Sequence, residues 1–306
     1  MTRQLVYYSL AASDGGACER QWVQSARSLR RHNRDIPVYL FAYNQPSDQT
    51  LCEADRLNVC IVEQADHRSC FDNMPPVAAA ALSHYPTMHR FVSSLHRCPK
   101  EGVSQILFLD CDTFFFGDVR RLFERYCTVH FYARAEPNSK RSPDGYHPRY
   151  LDESLLYEIA RAEGLEFIPP YNLGVCMFNH GVWYPIQALA GHFLEYAWRL
   201  LVGMRFRAPL NPNIDERLSC FVANHTSEHE RRSCLVYPSS NSWILDQIAF
   251  GLMLGRLPGL THDVLLPADV LQGGEYVRRH DRTVVPLLAH YFSSGEDEFF
   301  AGIGRS

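Results

Sequence analysis

An unbroken apolar run, Ile106-Leu107-Phe108-Leu109, leads straight into Asp110-Cys111-Asp112-Thr113. Four consecutive apolar residues read as a strand buried on both faces, of the kind found inside a parallel sheet. Side chains alternate along a strand, so Asp110 and Asp112 are expected to point one way and Cys111 the other. Carboxylates at the end of a buried strand repel each other and lose water, and so call for a partner. Two hard oxygens on one face suit Mg2+ or Mn2+. Open α/β sheets also bind ligands outside the carboxyl ends of their strands. The plain alternative is that the two acids simply open a polar turn.

Other residues capable of chemistry are individually less telling. Asn172-Leu173-Gly174 stands at the entry of an apolar stretch, Tyr171 to Phe178. A glycine inside a strand pattern marks a bulge or a close approach, and a plain turn explains it equally well. Arg90 could reach a phosphate through its guanidinium, although one arginine on a helix reads first as a surface residue. Asp246 and Gln247 lie in the first turns of a helix that Ser242 can cap, where an acid serves the helix dipole. His290 follows an apolar run, and a lone histidine there reads first as a core or turn residue. Cys220, His225, His229 and Cys234 offer a zinc-like ligand set without the usual paired Cys-x-x-Cys, so a solvated insertion is the better reading.

The elements around these residues form a consistent pattern. Residues 5–10 read as a strand, 18–32 as a helix with Trp22, Val23, Ala26 and Leu29 on one face, and 37–42 as a second strand. Strand, helix and strand make a βαβ unit, which implies a parallel sheet. The loop after the first strand lacks Gly-x-Gly-x-x-Gly, so no dinucleotide site is expected there. Further strands are expected at 58–62, 128–133, 171–178 and 284–291. Helices are expected at 77–82, 88–95 (after a break near Pro86), 119–126, 151–164, 185–202 and 243–256. Phe114, Phe115 and Phe116 read as core. Residues 134–150 and 205–241 are polar and rich in proline, as exposed substrate-binding loops often are.

With 306 residues, 46% hydrophobic and 21% charged, the chain can bury a large core. A net charge of -4 advertises neither nucleic acid nor anionic lipid as a partner. No secretory leader or membrane-spanning run is evident, the ten cysteines form no Cys-x-x-Cys pair, and Asn224-His225-Thr226 is a sequon with no secretory route to serve it. A cytoplasmic protein with reduced thiols is expected.

Taken in order, Leu107 to Val119 (LFLDCDTFFFGDV), Tyr171 to Phe178 (YNLGVCMF), Asp246-Gln247 and His290-Tyr291-Phe292 resemble the GT-A nucleotide-sugar glycosyltransferases. The resemblance is greatest to the glycogenin-like and lipopolysaccharide-galactosyltransferase group, family eight, and spans most of the chain. It implies an α/β fold of GT-A type, with a Rossmann-like, mixed but mostly parallel central sheet flanked by helices. It also implies one continuous domain, with residues 1–116 as the nucleotide-sugar half and 117–306, including the 205–241 insertion, as the acceptor half.

By that resemblance Asp110 and Asp112 hold Mn2+ or Mg2+ and His290 completes the metal site. A nitrogen ligand favours Mn2+. Asn172 and Gly174 border the donor sugar, and Asp246 and Gln247 sit beside its reacting carbon. Arg90 contacts the donor, while Tyr8, Ser9 and Asp14 cradle base and ribose. The implied activity is transfer of a hexose from a nucleoside-diphosphate sugar, UDP-hexose above all, to an acceptor hydroxyl with retention. The acceptor is a sugar, glycan, lipid-linked or small molecule. Three features depart from the family: Ile248 follows Asp246-Gln247 where Asp is frequent, the lysine motif after the late histidine is replaced by Tyr-Phe-Ser-Ser-Gly-Glu-Asp, and the 205–241 insertion is atypical.

Two other readings compete. A haloacid-dehalogenase-type phosphatase also places Asp-x-Asp after a buried strand, but on the first strand and with Thr where Phe114 stands here. A sugar-nucleotide-binding protein without turnover would share the fold, since fold does not fix function.

Overall fold

A computed structural model describes residues 3–11, 16–62, 71–72, 74, 76–83, 86–135, 154–165, 171–203, 242–273, 275, 285–292 and 296–303. Asp14, the 136–150 part of the first polar loop, the 205–241 insertion with its four zinc-like ligands, and Asn224 lie outside the described residues.

The chain begins with β1 (Arg3–Leu10), α1 (Ala17–His32), β2 (Val38–Ala42), α2 (Asp48–Arg56), β3 (Cys60–Val62) and α3 (Pro76–Ser83). Helix α4 starts as Pro86–His89, passes through a π-helical turn at Arg90–Ser94, and ends as Leu95–Arg97. Then come β4 (Val103–Leu109), β5 (Thr113–Phe115), α5 (Arg120–Arg125), β6 (Phe131–Ala135), α6 (Ser154–Ala162), β7 (Tyr171–Asn179), α7 (Trp183–Ala188) and α8 (Ala190–Gly203). The last part holds α9 (Ser242–Gly255), β8 (His262–Val264), β9 (Val270–Gln272), β10 (Leu288–His290) and α10 (Glu296–Ile303).

Seven strands form a central sheet in the order β3-β2-β1-β4-β7-β6-β8. Only β7 runs against its neighbours; the other pairings are parallel. This is the mixed, mostly parallel sheet flanked by helices that the sequence predicts. Strand β4 has both faces covered, as its unbroken apolar run requires. Ile106 and Phe108 pack into one core with Phe91, Phe193 and Phe250. Leu107 and Leu109 pack into the other with Trp22 and Leu29 of α1 and Phe123 of α5.

A second, three-stranded sheet has the order β5-β10-β9. It is joined to the first at Asp110–Asp112, because β4 stops at Leu109 and β5 starts at Thr113. The two acids therefore lie in a link between sheets, and their convergence comes from that link instead of from the pleat of one continuous strand. Asn33 braces the exit from β5: its side chain donates to the Gly117 carbonyl (3.3 Å) and accepts from Val119 N–H (2.9 Å). The outer face of the small sheet is closed by α10, whose Phe299 packs with Tyr291, Leu271 and Ala289.

The structure shortens or divides several expected elements. Among the described residues the strand expected over 284–291 is regular at Leu288–His290, and the helix over 185–202 divides at Leu189 into α7 and α8. Helix α2, strands β8 and β9, and α10 were not expected. Phe114 and Phe116 are half-buried against α10, while Phe115 is core.

Candidate functional site

Backbone pairing brings the late histidine to the two acids. β10 runs antiparallel to β5 with His290 opposite Thr113, and Tyr291 N–H donates to the Asp112 carbonyl (3.0 Å). On the other side Asp110 N–H donates to the Gly174 carbonyl (2.8 Å). His290 Nε2 then lies 3.2 Å from Asp112 Oδ1 and 3.9 Å from Asp110 Oδ2. One ligand atom from each of Asp110, Asp112 and His290 falls within 4.8 Å of the others. Two hard oxygens and one imidazole nitrogen, converging at the partly exposed end of a buried strand, fit a small divalent cation.

Arg90 turns into this site, its side chain only 12% exposed. It approaches Asp110 Oδ1 at 2.5 Å and Asp246 Oδ2 at 3.6 Å. The expectation of a surface arginine is thus corrected, and the cause is local. Arg90 opens the π-helical turn of α4, a feature frequent at functional sites. Its neighbour Phe91 is locked between Phe250 (4.2 Å between centroids) and Phe108 (5.7 Å), which turns residue 90 toward the strand ends.

Asp246 is 1% exposed, because α9 is buried on every side from Leu245 to Phe250. Neither of its carboxylate oxygens has a hydrogen-bond partner among the described residues, and neither does Gln247 Oε1. Burial pushes the Asp246 carboxyl up to about 8, with Arg90 pulling the other way. The Asp110 carboxyl is likewise raised by burial and by Asp112, against the pull of Arg90 and His290. Burial disfavours the charged His290 ring, but the Asp112 and Asp110 carboxylates together outweigh it and raise the imidazole. The centre holds more acid than its two cationic partners comfortably ionise, which is the electrostatic condition for taking up a cation.

Gly174 has a definite steric reason. Strand β7 bulges here: Ala133 pairs with Cys176, but the next residue, Arg134, pairs with Asn172. Asn172 Oδ1 accepts Gly174 N–H (3.1 Å) across the bulge. A Cβ at 174 would lie 2.0 Å from His290 Cε1. The close approach comes from the site's own imidazole.

Not every expected residue joins the cluster. Tyr8 is fully buried on the α1 side, its hydroxyl 2.8 Å from Ser25 Oγ and its ring edge-on to Trp22. It offers no exposed surface to a base or ribose, so the role the resemblance gives it does not match its placement. Ser9 is half-buried, and its carbonyl accepts from Cys111 Sγ (3.4 Å). Arg134 and Gln272 went unremarked in the sequence, where a lone arginine in a strand and a polar residue closing a short apolar run carry no signal. Arg134 is 7% exposed and pairs with Glu275 (2.8 Å). Among the described residues, Cys18, Cys52, Cys60, Cys98, Cys111, Cys127 and Cys176 are free thiols, and no helix is long and apolar enough to cross a membrane.

No family model and no curated protein sequence matches the chain. Solved structures do resemble it. Mouse xyloside xylosyltransferase 1, in its apo form, is 15% identical over 96% of this chain and 99% of that one, with a TM-score of 0.47. The galactosyltransferase LgtC, solved with donor and acceptor sugar analogues, is 15% identical over 99% of this chain and 95% of that one, with a TM-score of 0.48. Core-mannan synthase A from Aspergillus fumigatus, in a Mn/GDP form, is 11% identical over 65% of this chain and 66% of that one, with a TM-score of 0.43.

Proposed function

We propose that this chain is a metal-dependent glycosyltransferase of GT-A type that moves a hexose from a nucleoside-diphosphate sugar, UDP-hexose in the first instance, to an acceptor hydroxyl with retention. The observation that carries this reading is the convergence of Asp110, Asp112 and His290 beside an inward-turned Arg90 and a buried Asp246 whose oxygens have no hydrogen-bond partner among the described residues.

Asp110, Asp112 and His290 would hold Mn2+ or Mg2+. Such an ion, when bound, neutralises the charge that grows on a departing diphosphate. Arg90 sits where its guanidinium can add a second positive charge to the same oxygens, exchanging its contact with Asp110 for one with phosphate. As the anomeric C–O bond breaks, its electron pair goes to the diphosphate oxygen and positive charge spreads over the sugar ring. Asp246 lies close enough to Arg90 to face that ring, and a developing cation draws its buried carboxyl back to the ionised form. Gln247 offers a free carbonyl oxygen to the sugar hydroxyls. The acceptor oxygen bonds to the same face of the anomeric carbon, and its proton passes to the leaving oxygen. Asn172 and Gly174 shape the wall beside the sugar.

A panel of UDP-, GDP-, ADP- and dTDP-sugars with Mn2+ tests the donor. The expected result is diphosphate-nucleoside release from one of them, suppressed by a chelator. Equal silence from the whole panel, with and without sugar acceptors, contradicts the reading.

A further inference from the structure

His290 belongs to a row of three polar residues. Register places it beside Thr113 on β5 and Gln272 on β9. Within the small sheet, Phe115, Leu288 and Val270 turn toward the core shared with the central sheet, whereas Ala289 and Leu271 turn toward α10. By alternation Thr113, His290 and Gln272 all take the first direction. Thr113 is satisfied there, its hydroxyl meeting Ser25 Oγ (2.7 Å) and the Asp110 carbonyl (3.2 Å). Gln272 is not. It is 2% exposed, and neither its Nε2 nor its Oε1 has a hydrogen-bond partner among the described residues. The same holds for His290 Nδ1.

Two buried polar groups with unmet needs thus stand in adjacent register positions on one face. Their backbones are held firmly. Gly273 N–H donates to the His290 carbonyl (2.8 Å), and Gln272 N–H donates to Glu275 Oε2 (2.8 Å). Glu275 is in turn gripped by Arg134, the register partner of Asn172 at the β7 bulge.

We propose that Gln272 is the positioning residue of His290: its carboxamide oxygen accepts the Nδ1 proton of the imidazole once Nε2 is committed to a cation. The inference rests on reading Asp110, Asp112 and His290 as a cation site. The acids approach His290 through Nε2, so a ring that ligates from there carries its proton on Nδ1, and ligating histidines pass that proton to an acceptor that fixes the ring. Gln272 is the partner the sheet supplies.

Mn2+ affinity of the full chain, measured by electron paramagnetic resonance of the free ion, tests this without any turnover. Gln272→Leu is expected to weaken Mn2+ about 10-fold or more, while the metal-free melting temperature is unchanged or higher because a buried unpaired amide is gone. Gln272→Glu keeps an acceptor oxygen and is expected to bind at least as tightly as the wild type. In the Mg2+-loaded protein, an exchange-protected imidazole N–H proton signal is expected and should vanish in Gln272→Leu. Wild-type affinity in Gln272→Leu, or equal weakening in Gln272→Glu, overturns the positioning role alone. A wild-type chain that takes up no Mn2+ overturns the cation site itself, and this role with it.

Discussion

At the scale of single residues, the site is built from groups held in states they would not choose in water. Asp246 has the clearest consequence. Below the usual carboxylate range its carboxyl is protonated whether the chain is folded or not. Between that range and about 8 the unfolded chain releases the proton and the folded chain keeps it. The native state then binds more protons, so stability falls as pH rises through this window and levels off above it. In metal-free protein, Asp246→Asn is therefore expected to be the more stable form at pH 8, by about 1–3 kcal/mol, with the gap closing toward pH 4. Urea unfolding across that range reads the difference directly. Gly174 makes the opposite case. Gly174→Ala sets a methyl into the His290 ring and is expected to cost about 1–3 kcal/mol while weakening Mn2+ uptake. Unaltered melting and metal affinity would show that the ring is free to move aside.

At the scale of elements, the candidate metal ligands are held by two sheets, Asp110 and Asp112 in the link that leaves β4 and His290 on β10, and only β4 is deeply anchored. Strand β4 is clamped between two cores, whereas β10 is three residues long and depends on α10 for cover. Phe299→Ala, at a 1% exposed ring, is expected to cost about 3–5 kcal/mol. It should loosen β9 and β10 before the central sheet. Hydrogen exchange followed by mass spectrometry checks this, with faster exchange at 288–291 and little change at 103–109. Uniform acceleration along the chain would argue against a separable small sheet.

The same division explains what the sequence disclosed. β1, α1, β2, β4 and β7 were legible because long, periodic or doubly buried segments leave strong patterns. β10 was expected, over a longer span than it keeps, from the apolar run before His290; β8 and β9 are three-residue strands fixed by tertiary pairing, too short for any pattern. α2 carries few apolar residues in Asp-Gln-Thr-Leu-Cys-Glu-Ala-Asp-Arg and is set by the Ser47 cap and by Glu19, which bonds Ser47 and Thr50. Asp110 and Asp112 were legible as a pair. The inward turn of Arg90 was not, because it depends on the inserted π-helical turn and on the Phe91 stack, neither of which leaves a trace in residue type. The reason for Gly174 could not be read either, since the atom it avoids lies on a strand far along the chain.

At the scale of the molecule, the proposed cation site is the place where the central sheet, the small sheet and the helices α4 and α9 meet. A ligand there ties all four together and binds only the folded chain, so it must stabilise the whole. Saturating Mn2+ with a nucleoside diphosphate, at about 100 times their dissociation constants, is expected to add about 3 kcal/mol and to raise the melting temperature. The compactness of the site also makes one measurement decisive: nucleoside-diphosphate release from the preferred nucleotide sugar as Mn2+ is titrated, in the wild type and in Asp112→Asn. Turnover is expected to saturate with Mn2+ in the wild type and to fall about 100-fold or more in the variant, with the fold intact. Full turnover by Asp112→Asn, or wild-type turnover indifferent to Mn2+ and to chelator, would contradict metal-dependent transfer.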